Sequence, residues 1–292
     1  MIYVCEFDHS AGQEFLLNAA DAWLGKEIIS PISEEETCGV RWKKKRERIL
    51  AWLLLEYALT CGESRWISAQ NSKSAVQNCA IDTGFFRNDS RKQKKSILKE
   101  LAILRTKHGK PYSSRYPDLF FNISHCETAC ACILSDHPAG IDIERKFRYK
   151  ENLKRYICSD NERRWFDQLQ DIPDSSESKS MCSDAGEKEI PSEKEKQLRL
   201  LWSMKEAFVK LDGRGLGYGL KNVDLSELMP IPDSSWQKNG AVFQFFGKLS
   251  GQYTLAACAH RLEQSEKNAV QVVSEQGLTE AVRSWSGKTS GR

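Results

Sequence analysis

Apolar positions fall in short blocks, and their spacing switches between strand and helix periods. Residues 1–7 read as a strand, and residues 12–24 as a helix-like stretch. A stronger helix is predicted over about 42–59. Its apolar positions Ile49, Trp52, Leu53, Leu55, Tyr57 and Leu59 make no narrow stripe, as expected for a helix covered on several sides. Residues 97–105 suit a strand or short helix, and Gly109 and Pro111 then punctuate a turn. Apolar runs at 120–123 and 128–134 fit buried strands, and 141–144 forms another after a turn at 137–140. A long helix is predicted from about 196 to 211 and is stopped by Gly213, Gly215, Gly217 and Gly219. Residues 243–249 and 253–260 read as a hairpin.

Between these blocks lie polar stretches. Residues 70–95 look like an exposed insertion, and residues 171–195, acidic and serine-rich, like a flexible one. Beyond about residue 261 the chain is a polar tail, mobile or forming a late helix. The small-residue strand at 128–134 has an echo at 253–259.

Composition narrows the picture. With 292 residues, one large or two smaller domains are expected, and the 40% apolar share can fill a core. A net charge of +3 argues against a dedicated nucleic-acid binder, although the helix start is basic at Lys43, Lys44, Lys45, Arg46 and Arg48. No apolar run has the length of a membrane span. The first residues do not read as a signal peptide. The ten cysteines lack zinc-ligand spacing and read as small buried hydrophobes. The expectation is a cytoplasmic protein.

Four segments carry candidate chemistry. In Gly140-Ile141-Asp142-Ile143-Glu144, strand alternation puts the two acids on one face, roughly 6.5–7 Å apart. A hard divalent cation would satisfy both; two solvated acids on an exposed edge would also explain them. In the long helix, Leu201, Met204, Phe208 and Leu211 form an apolar stripe, with Trp202, Glu206 and Lys210 opposite. Glu206 and Lys210 fit an ordinary i,i+4 pair, but a tryptophan on that face calls for cover. Asn122 and Ser124 share one strand face just before His125, where a phosphate can be held. Gly109-Lys110-Pro111 offers a close backbone approach and a point charge. In order, these are the parts of a site for a metal-bound polyphosphate.

Taken together, Gly109-Lys110-Pro111, Phe121-Asn122-Ile123-Ser124-His125, the 140–144 strand and the 202–210 helix resemble the Sfp-type 4′-phosphopantetheinyl transferases. The resemblance covers roughly residues 1–260. It implies an α/β (α+β) pseudo-dimer of two similar subdomains, about 1–119 and 120–262, with the active site in the cleft between them and a tail at 263–292. It further implies transfer of phosphopantetheine from coenzyme A to a serine of an apo acyl or peptidyl carrier protein, with Mg²⁺, by a monomer. Asp142 and Glu206 would be metal ligands, and Glu144 a third ligand or a neighbour of the metal. Arg48, Gly109, Lys110, Pro111, Asn122, Ser124, His125 and Lys210 would bind coenzyme A. Glu206, Lys210 and His125 would be catalytic, with Glu206 or a metal-bound water as the base. One departure stands out: an acidic run, Glu34-Glu35-Glu36, occupies the place where the family often carries phosphate-holding lysines. Lys43–Arg46 are the candidate substitutes. The rivals are a coenzyme A-binding protein without catalysis and a nucleic-acid module using Lys43–Arg48 and Arg91–Lys95.

Overall fold

A computed structural model of the protein describes residues 1–24, 28, 39–61, 96–169, 192–230, 234–238, 240–261 and 270–285. The 70–95 insertion, nearly all of 171–195 and the acidic run at 34–36 lie outside them.

The fold is α+β, with two four-stranded sheets. The first has the order β10-β1-β5-β4, where β1 is Ile2–Glu6, β4 Phe120–His125, β5 Ala129–Ser135 and β10 Val270–Ser274. The second has the order β6-β9-β8-β7, where β6 is Ala139–Arg145, β7 Ser234–Lys238, β8 Ala241–Leu249 and β9 Tyr253–Ala259. A two-stranded ribbon joins β2 (Ile103–Arg105) to β3 (Pro111–Ser113).

Side-chain alternation sorts the sheets into layers. Cys130, Cys132 and Leu134 of β5 face α2 (Gly39–Cys61), while Ala129, Ala131 and Ile133 face the other sheet. On β9, Tyr253, Leu255 and Ala257 point into the inter-sheet core, whereas Ala256 and Cys258 meet α6 (Glu193–Asp212). The two echoing small-residue strands are thus the ones sandwiched between a helix and the opposite sheet, where small side chains let the layers approach. Among the described residues the shorter α-helices are α1 (Gln13–Ala19), α3 (Ile97–Glu100), α4 (Glu151–Ile157), α5 (Asp160–Gln168) and α7 (Glu275–Trp285). α6 ends where Gly213 adopts a left-handed conformation, φ 78°, and its N–H bonds the Val209 carbonyl.

Two features of the structure add to the sequence reading. β4 and β5, placed by sequence in the second subdomain, hydrogen-bond into the sheet of β1. The tail is not merely polar: β10 pairs in parallel with β1, and Leu278, Val282 and Trp285 of α7 are buried in the α2-side core. Their spacing is one face of a helix. The seven described cysteines are free thiols and six are buried, as their reading as small hydrophobes expects. Among the described residues no helix is long and apolar enough to cross a membrane.

Candidate active site

The two sheets meet at their edge strands, β4 and β6. An edge strand has backbone groups without ladder partners. Here the Ile141 N–H donates to Asn122 Oδ1 at 3.0 Å, so a side chain does the work of a missing strand. Two residues further along β4, Ser124 Oγ donates to Asp142 Oδ1 at 3.2 Å.

On β6, Ile141 and Ile143 face the inter-sheet core, so Gly140, Asp142 and Glu144 face α6. Gly140 is what permits the close approach. A Cβ there would overlap the Ala207 carbonyl oxygen and the Leu211 backbone nitrogen. The helix therefore lies against the strand and brings Glu206 and Lys210 onto the β6 acids. Lys210 Nζ donates to Asp142 Oδ1 and to Ser124 Oγ, both at 2.7 Å. The face carrying Glu206 and Lys210 is thus not a solvated one. α6 is buried nearly all round, with Glu206 only 6% exposed.

The charges are unbalanced. Burial pushes the Glu144 carboxyl up to about 7; the Asp142 and Glu206 charges add to the rise and Lys210 opposes it. Burial likewise raises Glu206 to about 7, with Asp142 adding and Lys210 opposing. Buried polar atoms without partners also collect here: Asp142 Oδ2, Trp202 Nε1 and Thr254 Oγ1, the last on the residue paired with Glu144 across β6 and β9. The Trp202 indole favours the ionised form of Glu144 without a well-formed hydrogen bond, and its cover is Phe147, packed edge-on with centroids 6.2 Å apart. Orphaned buried polar atoms mark a place that expects a further occupant. Clustered carboxylate oxygens with a free lone-pair set suit a hard divalent cation. Among the described residues no three such groups already converge at ligating distances. The fit is therefore in donor chemistry and charge rather than in a preformed cage.

The other sequence candidates lie around this cluster. His125 pairs through Nδ1 with Glu47 Oε2 at 3.3 Å, an α2 residue that sequence reasoning missed because it sits inside a run of lysines and arginines. The pairing favours Nδ1–H and leaves Nε2 for a ligand. Gly109 turns the chain with φ 85°, next to Lys110 and Pro111. Lys110 Nζ donates to the Leu211 carbonyl at 2.8 Å and so caps α6, and burial lowers its pKa to about 8. Arg48 is exposed on α2 and is not brought to the carboxylates. Lys205, also missed, is fully buried: its Nζ donates to Glu162 Oε2 at 2.5 Å and to the Ile157 carbonyl at 2.8 Å. It locks α6 onto α5 beside the site.

Residues 138–266, which supply the acids and both site residues of α6, match the model of the 4′-phosphopantetheinyl transferase superfamily. Similar curated proteins carry the same description. The chain is 31% identical over 161 residues to the 4′-phosphopantetheinyl transferase psf-1 of Bacillus pumilus, covering 53% of this chain and 58% of that one. It is 33% identical over 116 residues to the 4′-phosphopantetheinyl transferase Sfp of Bacillus subtilis strain 168, covering 39% and 42%. A third relative is the 4′-phosphopantetheinyl transferase gsp of Aneurinibacillus migulanus, 30% identical over 112 residues and matched over 38% of each chain. The chain thus spans about half the length, or less, of the curated relatives it matches.

Proposed function

We propose that this protein transfers the 4′-phosphopantetheine moiety of coenzyme A to a serine hydroxyl of an apo acyl or peptidyl carrier protein. The products are holo-carrier and 3′,5′-adenosine bisphosphate. The observation that carries the reading is the under-neutralised cluster of Asp142, Glu144 and Glu206 beside Lys210, inside the segment that matches the superfamily.

Asp142, Glu206 and Glu144 would hold Mg²⁺, which when bound neutralises charge on the diphosphate. The chain's own groups do the rest. Lys210, held by Asp142 and Ser124, presents a fixed ammonium to the diphosphate. His125, oriented by Glu47, would donate from Nε2 to a phosphate oxygen when both ring nitrogens carry protons. Gly109, Lys110 and Pro111 flank the nucleotide end. The carrier serine oxygen attacks the β-phosphorus. The bond from that phosphorus to the bridging oxygen breaks, and the bridging oxygen leaves with the adenosine bisphosphate. Glu206, or a water held by the metal it would help bind, is the candidate to take the serine proton. Free, mostly buried thiols fit a reducing compartment, and the reading is of a monomer acting in the cytoplasm.

The test is intact-mass spectrometry of an apo carrier protein incubated with the enzyme, coenzyme A and Mg²⁺. A gain of one phosphopantetheine, absent with EDTA, supports the reading. Coenzyme A binding with no gain on any of several carriers supports the non-catalytic alternative.

A further inference from the structure

At the mouth of the site a single carboxylate bridges three elements. Glu127, in the turn between β4 and β5, accepts from Lys43 Nζ on α2 through Oε1 and from Arg145 at the end of β6 through Oε2, each at 2.7 Å. Each partner sits beside a site residue. Glu127 is two residues beyond His125, Arg145 follows Glu144, and Lys43 lies one helical turn before Glu47. All three side chains are exposed, between 44% and 62%. Glu127 and Lys43 also line a cleft of about 330 Å³, together with Trp42, Arg46, Glu47 and His9. Arg46 is committed: it pairs with the buried Glu275 and stacks over Phe7. Lys43 and Arg145, by contrast, are held by an exposed bridge.

We propose that Glu127 is an internal counter-anion that parks Lys43 and Arg145 at the mouth of the cleft and surrenders them to the phosphoryl groups of the incoming anionic co-substrate. The proposal rests on the reading of the site as a coenzyme A site. Exposed ion pairs contribute little to stability, so the bridge breaks easily. A phosphate offers both cations a stronger acceptor, and Arg145 a bidentate one. Glu127 thus competes with the ligand and sets how tightly the phosphates are held. The side-chain bonds and charges of Lys43 and Arg145 keep its carboxyl below the usual range, so it remains a competitor in mildly acidic solution.

Calorimetric titration of coenzyme A into the wild type, Glu127→Gln, Lys43→Met/Arg145→Met and the triple variant tests this, at about 0.05 M and about 0.5 M salt. Glu127→Gln is expected to bind roughly 3–10-fold more tightly at low salt, with the gap closing at high salt. In the Lys43→Met/Arg145→Met background, adding Glu127→Gln should change nothing, an outcome a merely structural role for Glu127 would not produce. Equal or weaker binding by Glu127→Gln at low salt, with an unchanged Tm, overturns the proposal while leaving the coenzyme A site intact. A gain from Glu127→Gln that persists without the two cations overturns it equally. Failure of the wild type itself to bind coenzyme A overturns the underlying reading, and this proposal with it.

Discussion

Lys205 and Glu206 follow one another on α6, and both side chains are buried. Lys205 enters a closed network. Its ammonium reaches Glu162 and the carbonyls of Ile157 and Leu220, while Glu162 also takes the N–H groups of Ser159 and Leu225. Glu206 enters an open one, where three carboxyls share one lysine and Asp142 Oδ2, Trp202 Nε1 and Thr254 Oγ1 lack partners. A buried pair with every lone pair and proton used is a structural lock. A buried cluster left short of positive charge is held in that state by the surrounding fold, and such sites are where chemistry collects. One helix thus carries its anchor and its reactive group at adjacent positions, projecting about 100° apart.

That contrast can be broken at either end. The largest effect is expected from Glu206→Gln. Transfer to a carrier should fall by roughly 10²–10⁴-fold in single-turnover assays, with Tm unchanged or raised because a buried repulsion is gone. Lys205→Met should do the reverse. It strands Glu162 as a buried charge and should cost about 3–5 kcal/mol in urea unfolding, with loss of activity only in proportion to unfolded protein. Gly140→Ala should couple the two, because pushing β6 off α6 loosens the lock and separates the acids. A loss of about 2–4 kcal/mol, with transfer reduced in the folded fraction, is expected from such overpacking. The smallest effect is a pH dependence. Glu144 and Glu206 have folded pKa values of about 7 against an ordinary 4.5, so the folded chain binds more protons than the unfolded one in between. The stability they contribute is full below pH 4.5 and lost as pH rises through 7. In EDTA, Tm should drop by roughly 3–8 °C between about pH 5 and pH 8, and Glu144→Gln/Glu206→Gln should lack that component. Mg²⁺ should restore Tm at the higher pH more than at the lower one. A lysine-side change such as Lys205→Met should leave this pH-dependent component in place.

The acids of β6 and the Glu206–Lys210 pair were legible because strand and helix periods are local, and a local pattern says which residues share a face. What lies across from that face is not local. Trp202 announced that the Glu206 face of α6 is covered, but nothing within the helix says that the cover is β6, whose Asp142 lies 68 residues before Lys210. Glu47 and Glu127 were hidden for the same reason: one is a single acid among basic residues, the other an isolated acid in a turn, and only the meeting of β4, β6 and α2 gives each a task. The role of Gly140 was invisible because its missing side chain matters only against the backbone of α6. The buried face of the late helix in the tail, by contrast, could have been found, since Leu278, Val282 and Trp285 repeat at helical spacing.

The return of that tail has a consequence for how the molecule comes into being. β1 lies between β5 and β10, and the carboxylate of Glu275 accepts the N–H groups of Asp8, His9 and Ala11 just after β1. During translation, β1 waits for residues some 270 positions later before its second edge is covered and its following loop is tied down. Until the ribosome has released them, that strand presents an unpaired edge to other nascent chains, so the first sheet closes last.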